Sequence, residues 1–181
     1  MSALERVRDA LPEEAKDIRL NLQSLLQGTT LTPDQRWGVA LAAAISTKNA
    51  ELMRAMREAA QSETTQAVVS DAIAAATLMA MNNVFYRFRH QIGKETYGER
   101  PARLRMNRLV NPGSSRVNFE LMSLAVSAIN GCETCVRAHE KVVLEGGLTE
   151  EHVLEAVRIA AVVQAASVGL AATMLQDPSA L

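Results

Sequence analysis

The stretch Asn118-Phe-Glu-Leu-Met-Ser-Leu-Ala-Val-Ser-Ala-Ile-Asn-Gly-Cys132-Glu-Thr-Cys135-Val-Arg-Ala-His139 decides the fold, because it reads as helix, break, helix. Asn118 offers a side chain to cap a helix through Ile129, and Asn130-Gly131 is poor helix sequence that ends or kinks it. The break puts Cys132 and Cys135 in the first turn of a following helix that runs to about Leu144. Unpaired N–H groups and the positive end of the helix dipole there favour thiolate over thiol. Cys132 and Cys135 stand at i, i+3 and His139 at i+4 from Cys135, so all three project from one face. They are the only two cysteines of the chain. A pair so placed suits a dithiol that opens and closes as a disulfide beside a proton carrier. Two other readings stay open. Cys-x2-Cys-x3-His supplies three ligands to zinc, although only His90 and His152 are available as further imidazoles and a structural site wants four ligands. Alternatively, two small, weakly polar residues simply pack in a helical core.

The break has a further consequence, since the helices entering and leaving it can pack antiparallel. Glu120 near the start of the first would then reach His139 in the second turn of the other and orient the imidazole. Glu120 as an ordinary solvated acid at a helix start is the competing reading.

Working outward, helices account for the rest of the chain. One opens near Ser2 and stops before Pro12. Another runs from Glu13 to about Gln27, with Leu20, Leu22, Leu25 and Leu26 as its apolar stripe and Gly28 as a stop. Thr32 before Pro33 reads as an N-cap with Pro at the first helical position, opening a helix through about Thr47. Asn49 to about Ser62 follows, with Leu52, Met53 and Met56 inward. Thr65 to about Gly93 is the longest helix, with Asn82-Asn83 as a possible interruption. Pro101 to Leu109 precedes the turn signal Asn111-Pro112-Gly113. Gly146-Gly147 closes the cysteine helix, and Thr149, Glu151 and His152 open the last one, ending near Asp177-Pro178.

Composition agrees with an all-α chain. Hydrophobic residues make up 48% and aromatics 3% of 181 residues, which suits closely packed alanine-rich helices rather than aromatic-rich strands. A formal net charge of −1 gives no electrostatic reason to expect nucleic acid or an anionic membrane as partner. The longest apolar run, Ile159 to Leu175, carries Gln164, Ser167 and Thr173 and reads as a buried helix rather than a membrane span. Residues 1–10 carry Glu5, Arg6, Arg8 and Asp9 with no apolar stretch of an export signal, so a cytoplasmic location is expected. In that reducing compartment a vicinal cysteine pair is catalytic or metal-binding before it is a structural staple.

The chain also repeats itself weakly. Ala44-Ile45 falls on Ala128-Ile129 (129 − 45 = 84), and the same offset carries Thr65 onto Thr149 and Ala72 onto Ala156. Cys132 and Cys135 then fall on Lys48 and Glu51. One all-helical domain, 1–181, is expected, with a scaffold half of about 1–110 and a cysteine-bearing half of about 111–181.

Glu120, Cys132-x2-Cys135-x3-His139 and the residues around them resemble the signature of the alkyl hydroperoxidase AhpD family within the carboxymuconolactone decarboxylase-like superfamily. Leu11-Pro-Glu-Glu-Ala-Lys-Asp-Ile, Met79-Ala-Met-Asn-Asn-Val-Phe-Tyr-Arg and Met106-Asn-Arg-Leu-Val-Asn-Pro-Gly113 resemble that family as well, so the similarity spans nearly the whole chain. The resemblance implies an all-helical fold, a trimer and a lipoamide-dependent peroxidase. It gives Cys135 the attack on peroxide, Cys132 the roles of proton donor and resolving thiol, and His139 with Glu120 a proton relay. It implies dihydrolipoamide as electron donor with no tightly bound cofactor and no metal. The implied partners are a lipoylated dehydrogenase-complex acyltransferase, dihydrolipoamide dehydrogenase and the peroxiredoxin AhpC. Thr134 is a departure, since some family members place a histidine between the cysteines. That favours an alternative, a thiol–disulfide adaptor without direct peroxidase turnover. A non-redox lyase or zinc-binding member of the superfamily is the other.

Outside this stretch, His90 after Arg87, Phe88 and Arg89 reads as a surface or interface residue. Met79, Met81 and Met106 read as core filler, and Tyr86 with the Asn82-Asn83 pair as packing. Gly146-Gly147 lacks the strand and the Lys-Ser/Thr that a phosphate loop requires.

Overall fold

The computed structural model describes residues 1–28 and 30–173, apart from the side chains of Leu25 and Leu26, and among them there is no strand. Ten α-helices follow one another: α1 Ala3–Ala10, α2 Lys16–Gln27, α3 Pro33–Thr47, α4 Ala50–Glu63, α5 Gln66–Ile92, α6 Glu95–Gly98, α7 Asn107–Val110, α8 Arg116–Ile129, α9 Glu133–Glu145 and α10 Glu150–Ala172. The expected all-α architecture is what forms.

Local chemistry sets most boundaries. Thr32 and Gln35 cap α3 reciprocally, each backbone N–H meeting the other's side chain at 3.0 and 3.3 Å. Asn49 Oδ1 accepts from the Leu52 N–H to start α4, and Thr65 caps α5. α5 ends at Gly93, which has φ 62°.

Several expectations need correction. Residues 13–15 form a 3-10 turn before α2. Leu20 is 56% exposed, because it sits two residues, about 200°, from the buried Leu22 on this helix. The side chains of Leu25 and Leu26, and the end near Asp177-Pro178, lie outside the described residues. Asn82-Asn83 do not interrupt α5, as both are buried within a continuous helix. α8 is capped by Ser115, whose Oγ accepts from the Asn118 N–H, so Asn118 is the third residue of the helix and not its cap. The four-residue α6 was not foreseen.

α3 and α8 lie side by side at the centre, joined at one end by Gln35 Nε2 to Asn118 Oδ1 (3.2 Å). They pack closely because Gly38 lets the Met122 side chain rest where a Cβ would stand. Val39, Leu41, Leu52, Met56, Phe119, Leu121 and Met122 are buried around this contact. Burying each large side chain stabilises the fold by roughly 1.5–3 kcal/mol. α5 packs on both α3 and α8, α9 folds back on α8, and α10 closes the other flank against α3 and α8. α5 and α10 are long and apolar enough to cross a membrane, with half of each apolar window buried against the chain itself.

One buried acid ties the halves together. Asp71 of α5 accepts from Arg108 (2.8 Å), the Gly113 N–H (2.9 Å), and the N–H and hydroxyl of Ser114 (both 2.7 Å). Burial pushes its carboxyl upward, but these four donors outweigh burial and hold it below the ordinary aspartate value. The segment leading into α8 is thereby pinned, and with it the helix that carries Glu120.

Candidate active site

α8 ends at Asn130, Gly131 turns the chain at φ 64°, and Cys132 becomes the N-cap of α9. Cys132 thus precedes the first turn in which it was expected, while Cys135 is the third residue of the helix. The Cys132 N–H donates to the Ser127 carbonyl at 3.1 Å, and its own carbonyl accepts from the Val136 N–H at 2.9 Å. Cys132 makes no side-chain cap bond, so the α9 N-terminus has no hydroxyl or amide of its own over its first N–H groups.

The two sulfurs are joined in a disulfide, with the Cα atoms 5.3 Å apart. Cys132 is fully buried and Cys135 is 6% exposed, so Cys135 is the residue of the pair that touches solvent. One turn along α9, His139 lies with its Nδ1 2.6 Å from Oε2 of Glu120, both residues buried. The antiparallel packing of α8 and α9 therefore brings the carboxylate to the imidazole, and the solvated-acid reading of Glu120 does not hold. A carboxylate accepting from Nδ1–H fixes the ring and directs Nε2 inward. Nε2 meets the Met79 thioether, a weak hydrogen-bonding group, at 3.2 Å.

A polar clamp from α5 supports the turn. Asn83 donates to Ser127 Oγ (2.9 Å) and accepts from Asn130 Nδ2 (2.9 Å), and Arg87 donates to the Asn130 carbonyl. Sequence reading missed Met79, Asn83, Arg87 and Asn130 as parts of the site. The signal was two adjacent asparagines inside an alanine-rich apolar helix, which must find buried partners.

Two further residues sit outside this core. Thr134 is exposed, so a side chain at that position points to solvent. His90 is also exposed, with Nε2 3.7 Å from Glu133, which in turn pairs with Arg137 at 2.8 Å. Among the described residues no three His, Cys, Asp or Glu side chains gather as a metal site.

The arrangement holds a cysteine pair that can exchange two electrons, at a helix N-terminus, with a carboxylate-oriented imidazole alongside. The Carboxymuconolactone decarboxylase family matches residues 95–174. Over 170 residues the chain is 62% identical to a protein named Alkyl hydroperoxide reductase AhpD from Anaeromyxobacter dehalogenans strain 2CP-1, covering 94% of this chain and 91% of that protein. A protein of the same name from Rhodopseudomonas palustris strain BisB18 is 44% identical over 170 residues, covering 94% of each. Another from Beijerinckia indica is 45% identical over 173 residues, covering 96% of each.

Proposed function

This chain belongs to the AhpD family, and from that premise we propose that it is an alkyl hydroperoxide reductase whose Cys132–Cys135 pair is the redox centre. The observation that carries the reading is the pairing of the more exposed cysteine, Cys135, with an imidazole one turn away that a buried carboxylate holds in place. With the pair reduced, the Cys135 thiolate attacks the peroxide O–O bond. One oxygen stays on sulfur as sulfenic acid, and the alkoxide takes a proton and leaves as alcohol. The Cys132 thiol then attacks the sulfenic sulfur, forming the disulfide and releasing water. His139, held by Glu120, carries the protons that these steps move between sulfur, leaving oxygen and solvent.

Return to the dithiol takes two electrons from a donor dithiol, which becomes a disulfide in turn. Dihydrolipoamide on a lipoylated dehydrogenase-complex acyltransferase, recharged by dihydrolipoamide dehydrogenase, is the donor we infer, and the peroxiredoxin AhpC the acceptor that the pair regenerates. Cytoplasmic location belongs to the same reading. So does a chain acting as one helical unit, with residues 1–110 as scaffold and 111–181 as the cysteine-bearing half. A trimer is supported by the apolar residues Ile73, Val84 and Phe88 of α5, which are 40%, 61% and 45% exposed.

One observation favours an adaptor that passes electrons to a peroxiredoxin without turning over peroxide itself. The exposed position between the cysteines is Thr134, so no second imidazole stands there. Hydroperoxide-dependent oxidation of dihydrolipoamide by the purified protein, alone and with AhpC added, separates the two readings. Turnover alone, lost in Cys135→Ser, is expected of the peroxidase; turnover only with AhpC is expected of the adaptor. No turnover in either case overturns the lipoyl pathway.

A further inference from the structure

Ser123 has no role in the scheme above, yet it is fully buried and its hydroxyl has no hydrogen-bond partner. An unpaired buried hydroxyl is costly, and a helical serine ordinarily finds at least a carbonyl one turn back. The register of α8 against α9 gives the level at which Ser123 sits. Glu120 of α8 meets His139, and the Ser127 carbonyl meets the Cys132 N–H. Ser123 lies one turn from each on α8, at the level where α9 carries Cys135. On α8 Ser123 follows Glu120 by three residues and precedes Ser127 by four, and those two side chains meet His139 and Asn83, so the helical period places Ser123 on their side of the helix. Both α9 and α5 pack on α8, and they do so through the residues on that side.

We propose that Ser123 is the hydrogen-bond donor to the Cys135 thiolate in the reduced protein, and that its hydroxyl is unpaired here because the disulfide has taken that partner away. The proposal rests on the redox reading of the pair. When a donor dithiol opens the S–S bond, two electrons pass to the pair and the donor closes its own disulfide. One of the donor's protons ends on Cys132 as a thiol, and the other goes to solvent, leaving Cys135 as thiolate. That sulfur gains the charge it lacked in the disulfide, and once freed from the S–S bond it can move to meet the Ser123 hydroxyl. A hydrogen bond to a charged acceptor is among the stronger ones, so the orphaned donor of one state becomes a stabilising partner in the other. Ser123 would then bias the pair toward reduction and keep Cys135 ionised at neutral pH.

The experiment uses the full-length chain carrying Cys132→Ala, in which Cys135 is the only thiol, and follows iodoacetamide alkylation across pH. Adding Ser123→Ala should move the midpoint of the profile upward and slow alkylation at neutral pH by about tenfold. Ser123→Gly, which also removes the hydroxyl but weakens the helix, should move the midpoint equally, and Ser123→Thr should restore it. An unmoved midpoint in the alanine variant overturns the proposal, as does a shift that follows thermal stability across the three variants instead of the hydroxyl. The readout needs neither peroxide nor lipoyl donor. Failure of the peroxidase reading would leave this profile intact, and failure here would leave turnover by the wild-type protein unexplained by Ser123 but otherwise untouched.

Discussion

The helices α3–α4–α5 and α8–α9–α10 share their order and cap spacing, and comparing them shows what sets the cysteine-bearing set apart. The N-caps Thr32 and Ser115 correspond, as do Asn49 and Cys132, at an offset of 83 residues, the separation of the touching pair Gln35 and Asn118. Thr65 and Thr149 correspond at 84, the Gly146-Gly147 turn having added a residue. The cap positions follow the weak sequence repeat, with its register shifted by one in the first two helices. Cys132 and Cys135 stand where the first copy has Asn49 and Leu52, not Lys48 and Glu51. Glu120 and His139 stand where it has Trp37 and Met56. In one copy these places are filled by an amide cap and three buried apolar side chains; in the other, by two sulfurs, a carboxylate and an imidazole. The scaffold that buries a core in one half excludes water from a reactive pair in the other. The open cap adds to this: Asn49 occupies the α4 N–H groups, whereas the corresponding groups of α9 remain for a sulfur anion.

The sharpest way to break the comparison is to treat corresponding positions alike. Cys135→Ser should reduce peroxide-dependent dihydrolipoamide oxidation to background while leaving the thermal midpoint of the reduced protein nearly unchanged. Leu52→Ala, at the same place in the first copy, should lower stability by about 2–5 kcal/mol in denaturant titration and leave turnover per folded molecule intact. Turnover surviving in Cys135→Ser would mean that the functional asymmetry of the copies has been misassigned. His139→Gln should cost about 10²–10⁴ in turnover, the range of a proton carrier, whereas Met56→Leu should cost less than about 1.5 kcal/mol of stability and no activity.

A second contrast concerns two buried acids at an offset of 84 residues, Asp71 in α5 and Glu155 in α10. Glu155 accepts from Arg158 on its own helix at 2.9 Å, but Asp71 reaches across to the segment entering α8. Asp71→Asn should therefore destabilise by about 1–3 kcal/mol. The pH dependence follows from the depressed carboxyl. Its stabilisation is complete above the ordinary value of 3.8 and is lost as pH falls through the lower folded-state value. Thermal midpoints measured from pH 6 downward should drop more steeply below 3.8 for the wild type than for Asp71→Asn; parallel curves would show that the carboxylate does not hold the segment.

What the sequence revealed and what it hid divide along the same line. Caps such as Thr32 and breaks such as Gly131 act within a few residues, so they were readable, as was the face shared by Cys132, Cys135 and His139. Glu120 could be named as a partner for His139 because both lie on consecutive helices joined by a tight turn. Met79, Asn83 and Arg87 could not, since they reach the site from a helix more than forty residues away. For the same reason Asn82-Asn83 suggested an interruption: propensity disfavours asparagine in a helix, and only tertiary partners such as Ser127 and Asn130 show why two are kept there. The exposed Leu20 shows the converse, a leucine whose helical phase places it away from the core whatever its hydrophobicity.

The smallest effect tests the turn that sets the copies apart. Both units leave their first helix through a left-handed residue, Lys48 at φ 62° in one and Gly131 at φ 64° in the other. A side chain in that conformation costs roughly 1–2 kcal/mol, and nothing lies within 4 Å of a Cβ added at Gly131, so the cost there is backbone strain alone. Gly131→Ala should thus lower stability by about 1 kcal/mol and Lys48→Gly should raise it by a similar or smaller amount. Because Gly131 adjoins Cys132 and the Asn83–Asn130 clamp holds the turn from the other side, turnover in Gly131→Ala should stay within about twofold of wild type when strain is the only change. A larger loss of turnover at equal stability would mean that glycine at this place sets the angle at which Cys132 meets Cys135, and that the two turns, alike in backbone, differ in function.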